Sequence, residues 1–110
     1  MTVKELIDSG KFEVVNVGAA TDTRITDVFC CDLLSIAMSR GIEGAAWVTV
    51  MGNINTLAVL SLTDMSCIVL AEGTNLDQAA KAKAVEQKIT VLRTDEPEFK
   101  AGLYIHGKLG

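Results

Sequence analysis

The sequence predicts an α/β protein: a three-layer α/β/α sandwich around a small, mostly parallel sheet of four or five strands. Three features carry that expectation. The runs WVTVM, CIVLA and ITVLR are rich in β-branched residues and do not alternate with polar ones, which marks strands covered on both faces. Each run leads through a short turn into a helix-forming stretch, and the strands begin near residues 47, 67 and 89. That repeat is short for a full βαβ unit of about 30 residues but keeps its order. Right-handed crossovers then place helices on both faces of the sheet.

The elements follow in order. TVKE opens the first helix: Thr2 caps it and Glu5 reaches back, a capping box. Val3, Leu6 and Ile7 share one face, and Gly10 ends the helix. KFEVVNV is a short strand and GAATDT a surface loop. RITDVFCC, with Ile25, Val28 and Phe29 as its apolar positions, reads as the next strand. Asp32 is placed to cap LLSIAMSR, a nearly all-round apolar helix stopped by Gly41. After WVTVM, a helix is expected from about Asn55 to Leu62. CIVLA leads through EGT to a helix at 75–88, with Asn75 as its cap and Gln78 three residues on. Its Ala79, Ala80, Ala84 and Val85 form a small apolar face, while Lys81, Lys83, Glu86 and Lys88 face water. ITVLR leads through TDEPE to the last helix, around Phe99 to Lys108. Pro97 belongs to its first turn, where a missing N–H costs little.

A chain of 110 residues suits one domain over 1–110. Its hydrophobic share of 49% and mean hydropathy of +0.33 exceed what a disordered chain shows. Aromatics make up only 5%, so aliphatic side chains fill the core. The net charge is −4, and the ten Lys and Arg are scattered rather than striped. That argues against nucleic acid as a partner. No helix sets a basic face against an apolar one, which argues against a membrane surface. The longest apolar run, 57–71, is broken by Asp64 and falls short of the roughly 20 residues of a membrane span. The opening MTVKELIDSG carries charges where a secretion signal needs apolar residues, so a cytoplasmic location is expected. Three cysteines, an odd number, then read as reduced thiols.

The strand-to-helix turns are the candidate site. Helix N-termini offer free N–H groups to an anion, and Gly52 would let a ligand approach the backbone, with Asn53 or Asn55 capping or hydrogen-bonding. Glu72, Gly73 and Thr74 form the equivalent turn of the next unit, and Arg93 supplies the row's one cation. Three such turns side by side lie where open α/β sheets bind ligands. Neither a Walker loop nor G-x-G-x-x-G occurs, and no Lys or Arg lies between Trp47 and Ala80. A plain βα turn with an Asn cap is the stronger reading of 51–53, and a ligand seat the alternative.

Cys30 and Cys31, adjacent in a strand, point to opposite faces and cannot share one metal. Core packing is their expected role, with a reactive thiol, or a metal shared with Cys67 or another subunit, as the alternative. His106 reads as a surface residue near the chain end. Asp22, Asp27, Asp32 and Asp64 occur singly, with no carboxylate pair spaced for acid–base work. No catalytic residue, cofactor or metal ligand is therefore expected.

Taken in order, VKELIDSGKFEVVNVG, DTRITDVFCCDLLS, AWVTVMGN, CIVLAEG and AKAVEQKITVLRTDEPEF resemble a DRTGG domain, and are similar to the N-terminal domain of HPr kinase/phosphorylase. The name-giving T-G-G element falls at Glu72–Gly73, where one of its glycines is kept. The resemblance implies a regulatory or assembly module without catalysis, because the kinase chemistry of that family belongs to a separate domain. It implies a homodimer acting on a protein partner, and similar folds in Mur ligases contact a nucleotide-sugar. The expected dimer interface is the helix over 33–39, through Leu34 and Met38, or an edge strand. The alternative function is a sensor for an adenine nucleotide or similar anion at the turns.

Overall fold

Residues of the runs AWVT and CIVL are buried without exception, and they form the middle of the sheet. The computed structural model describes residues 1–109. The elements are α1 (Val3–Asp8), β1 (Glu13–Asn16), β2 (Val28–Cys30), α2 (Leu34–Arg40), β3 (Ala46–Thr49), α3 (Ile54–Thr63), β4 (Cys67–Leu70), α4 (Gln78–Gln87), β5 (Val91–Arg93) and α5 (Glu98–Leu109). The sheet order is β1-β5-β4-β3-β2. Strands β2 to β5 run parallel, and β1 joins the β5 edge antiparallel, with an irregularity between Val14 and Asn16. All four turns that follow the parallel strands therefore lie along one edge of the sheet.

Alternate strand residues divide the core in two. Trp47, Ile68, Leu70 and Val91 pack with Ala37 of α2, Leu57 and Leu60 of α3, and Ala80 and Ala84 of α4. Ala46, Val48, Cys67, Val69 and Leu92 pack with Val3 and Leu6 of α1 and with Ala101 and Ile105 of α5. The three layers of the expected sandwich are present, with five strands. Trp47 is the largest buried side chain, and its indole N–H donates to the Cys31 carbonyl at 2.9 Å. A buried polar atom left unpaired there would cost about 1–3 kcal/mol.

The capping box of α1 forms as read: Glu5 N donates to Thr2 Oγ1, and Thr2 N donates to Glu5 Oε1. Two other caps differ. Asp32 does not cap α2, which starts after Leu33 with no side-chain cap, because the Asp32 carboxylate is taken by β3. Helix α4 is capped by Asp77, not Asn75; its Oδ1 accepts from Ala80 N at 2.8 Å. Asp77 is held in place by its own N–H, which donates to the Gly52 carbonyl. Helix α4 touches the core through Ala80 and Ala84 alone, while Ala79 and Val85, expected on that face, are exposed. The β1 and β2 strands are shorter than the runs KFEVVNV and RITDVFCC, and β5 starts two residues into ITVLR. Pro97 stands just before α5 rather than in its first turn, with its carbonyl accepting from Ala101 N. Among the described residues, no helix is long and apolar enough to cross a membrane.

The cap assignment is open to a direct check. Asp77→Ala should cost about 1 kcal/mol in urea denaturation, whereas Asn75→Ala, removing an exposed side chain outside the helix, should stay within about 0.5 kcal/mol. Equal losses would return the cap to Asn75.

Candidate functional site at the carboxyl edge of the sheet

The row of turns forms as the parallel sheet dictates, and its polar groups are turned on one another. Asn53 caps α3: its Oδ1 accepts from Asn55 N at 3.0 Å and Thr56 N at 3.2 Å. Asn55 supplies only its backbone N–H to that cap. Gly52 is a point of close approach. A Cβ added there would lie 2.4 Å from the Asn75 carbonyl oxygen. The 51–53 turn is thus pressed against the next turn rather than left open above α3.

Glu72 and Gly73 both take left-handed backbone conformations, with φ of 57° and 68°. Glycine adopts this at no cost, whereas a residue with a Cβ is strained by about 1 kcal/mol or more. Their N–H groups are spent on the loop after β5: Glu72 N donates to Glu96 O and Gly73 N to Thr94 O, each at 2.9 Å. Arg93 completes the closure. Its guanidinium donates to the carbonyls of Gly73 (2.6 Å) and Thr74 (3.1 Å), and to Glu13 Oε2 (2.9 Å) on β1. The one cation expected to meet a ligand is occupied by the protein's own oxygens. The depression beside it is lined by Lys11, Glu13, Arg93, Thr94, Asp95 and Glu96, with Lys11 paired to Glu96. Three carboxylates against two cations make that a poor seat for an anion.

At the other end of the row lies a feature that linear spacing did not reveal. Asp32, after β2, accepts from the Thr49 hydroxyl at 2.8 Å and from Val50 N at 2.9 Å. Burial, hydrogen bonding toward Asp32 and the charges of Asp32 and Glu72 push the carboxyl of Glu98, the first residue of α5, up to about 7. Burial works to raise Asp32 too, but the bonds from Glu98, Val50 and Thr49 outweigh it and hold Asp32 below its ordinary value. Asp32 is thus bound by the end of β3 rather than by its own helix. The hint available in the sequence was Asp32 beside a strand end, and local helix chemistry claimed it as a cap.

The thiols divide as alternation requires. Cys30 lies on the α5 face, where a Cβ on Gly102 would approach its sulfur to 3.2 Å; Cys31 lies on the α2 face. Cys67 is buried and Cys30 is exposed at the sheet edge, so the expectation of core packing fails for Cys30. β2 is the last strand of the sheet, and one of its faces is left partly open. Burial pushes the Cys67 thiol up to about 11. Burial, then the charges of Glu98 and Asp32, raise Cys30 as well. Neither thiol is activated as a nucleophile. His106 is exposed and lines an apolar cleft with Val28, Cys30, Phe99, Gly102 and Leu103. Of the two expected interface residues, Met38 is 46% exposed on α2, whereas Leu34 is partly buried against the core. Among the described residues, no three His, Cys, Asp or Glu side chains gather to hold a metal.

No protein-family model matches the sequence, and no curated protein matches it. Among solved structures, the chain resembles the CBS and DRTGG domains of the regulatory region of a Clostridium perfringens pyrophosphatase, complexed with its activator diadenosine tetraphosphate. The TM-score is 0.75 at 17% identity, over 94% of this chain and 45% of that one. The likeness supports a DRTGG-like fold. At that identity the fold is what is shared, and the chain spans less than half of the structure it matches.

Two substitutions test this geometry. Gly52→Ala should lower stability by about 1–3 kcal/mol, since its methyl meets backbone rather than a movable side chain; a loss under about 0.5 kcal/mol would mean an open turn. Glu72→Gly should raise stability by about 0.5–1 kcal/mol at pH 8, by relieving the left-handed strain and the repulsion toward Glu98. Both are read from chemical denaturation.

Proposed function

We propose that this chain is a non-catalytic module of the DRTGG type that forms a homodimer and regulates a partner protein. The observation that carries the reading is the β2 edge. Among the described residues β2 pairs with β3 alone, so its outer edge is free to meet another chain. On the α5 side it is flanked by Phe99, 69% exposed, and Leu103, 54% exposed, which line a cleft with Val28 and Cys30. On the α2 side, Leu33, Ile36 and Met38 are exposed. A short edge strand with apolar side chains on both flanks suits a symmetric contact between two copies.

Magnitudes favour a modest dimer. Complete burial of a large apolar side chain contributes about 1.5–3 kcal/mol, and association costs about 4–15 kcal/mol. Phe99 and Leu103 from two copies offset the lower part of that cost, and the α2 side chains decide the remainder. The interface expected from the sequence thereby moves toward the edge strand, with Met38 kept and Leu34 held mainly by the core. The regulatory role is supported by the fold shared with a regulatory region. The non-catalytic reading is supported by the raised thiols and by Arg93, whose donors face its own chain.

Sedimentation equilibrium tests the dimer. The wild-type chain should have twice the monomer mass, and Phe99→Glu or Met38→Glu should give a folded monomer with an unchanged circular dichroism spectrum. A wild-type monomer, or a dimer that survives both changes, would overturn the assignment.

A second reading, nucleotide sensing at Gly52, Asn53, Asn55, Glu72, Gly73, Thr74 and Arg93, draws on the nucleotide activator of the similar structure. Calorimetric titration with AMP, ADP, ATP and a nucleotide-sugar decides it: micromolar binding abolished by Arg93→Ala would favour it, and the closed turns lead us to expect none.

A further inference from the structure

The open edge of β2 carries a hydrogen-bonding pattern of its own. Ala46 N donates to the Asp27 carbonyl, and Cys31 N donates to the Val48 carbonyl. Successive residues of a strand turn their N–H and C=O to opposite sides, so Asp27, Phe29 and Cys31 face β3 while Val28 and Cys30 face the open side. One of the two outward N–H groups is already spent: Val28 N donates to Asp27 Oδ1 at 2.8 Å. Within β2, Cys30 alone is left with both a donor and an acceptor for another chain.

We infer that two copies of the chain join their sheets along β2, antiparallel about a two-fold axis at Cys30, so that each Cys30 lies opposite the partner's Cys30. The inference rests on the homodimer proposed above and supplies its register. Antiparallel strands bond through pairs of residues that exchange both N–H···O contacts. A pairing centred on Val28, or one that set Val28 against the partner's Cys30, needs the Val28 N–H that Asp27 holds. Cys30 opposite Cys30 uses free groups only. Asp27 thereby selects one register of those open to β2.

The same rotation covers what the single chain leaves bare. An axis perpendicular to the sheet keeps each face on its own side, so α5 lies antiparallel beside the partner's α5. Helix α5 packs on both β2 and β3. With neighbouring strands about 4.8 Å apart, the two copies of α5 stand about 10 Å apart, the spacing of packed helices. Phe99 and Leu103, exposed beside Val28 and Cys30, fill the space between them and roof the Cys30 pair. On the opposite face, the exposed Leu33, Ile36 and Met38 flank the same axis. A second copy thus satisfies the strand edge and both apolar flanks in one operation, and two five-stranded sheets become one. An unrelated extended peptide would satisfy the edge and leave the flanks of α5 and α2 bare.

The test uses the wild-type chain, concentrated and dilute, with its mass read by sedimentation. Facing residues of a hydrogen-bonded pair have Cα atoms about 5.5 Å apart, within the span of a disulfide. Diamide, which oxidises two thiols to a disulfide as it is reduced to a hydrazine, should convert the concentrated protein in mild alkali to a covalent dimer. Cys30→Ser should abolish that product and Cys31→Ser should keep it. Amide exchange followed by NMR should slow at Cys30 by about tenfold or more in the dimer. A dimer whose Cys30 amide exchanges as fast as in the dilute chain, or whose Cys30→Ser variant cross-links like wild type, would overturn the register and leave the dimer standing. A chain that stays monomeric when concentrated would overturn the dimer, and the register with it.

Discussion

The guanidinium of Arg93 closes the carboxyl edge of this sheet, and the character of the whole edge depends on it. It joins three parts of the chain that are distant in sequence: β5, the β4–α4 turn through the carbonyls of Gly73 and Thr74, and the antiparallel β1 through Glu13. Carbonyls at such a turn, left without donors, would call for water or a ligand. Supplied by Arg93, they leave the edge internally satisfied. The same closure extends along the row, where Asn53 spends its oxygen on α3 and the Asn75 carbonyl sits over Gly52. An edge that elsewhere in α/β folds receives ligands is here knit to itself.

The far end of the sheet behaves differently. There the last strand, β2, leaves an edge open, and apolar side chains of α5 and α2 stand exposed on either side. The Asp32 carboxylate ties the end of β2 to the end of β3. The polar end of the sheet is thus closed on itself and the apolar end is open.

The central fold was legible because burial on both faces removes polar residues from β3 and β4, so WVTV and CIVL announce themselves. The capping box of α1 was legible because it is wholly local. What escaped depended on distant partners. Asp32 and Asn75 have sound local chemistry for caps, yet β3 claimed the first, and the contact of Asp77 with Gly52 moved the start of α4 past the second. Val85 fits an apolar stripe by spacing, but α4 seats only the small side chains of Ala80 and Ala84 on the sheet. Gly52, Asn53, Asn55, Glu72, Gly73, Thr74 and Arg93 stand along one edge because the strands before them are parallel. That Arg93 faces inward could not be read, because its acceptors are backbone carbonyls. The engagement of Asp32 by Thr49 and Val50 was illegible in the same way: the fold, not spacing, creates it.

The most direct measurement of the central claim is a residue-resolved amide NMR map, recorded on dilution of the protein and on addition of ATP. A closed edge and an open one predict that dilution moves the resonances of Val28–Cys30, Phe99 and Leu103, while ATP leaves 52–55 and 72–75 unmoved. Shifts confined to those turns on adding ATP, with none at β2 on dilution, would contradict it.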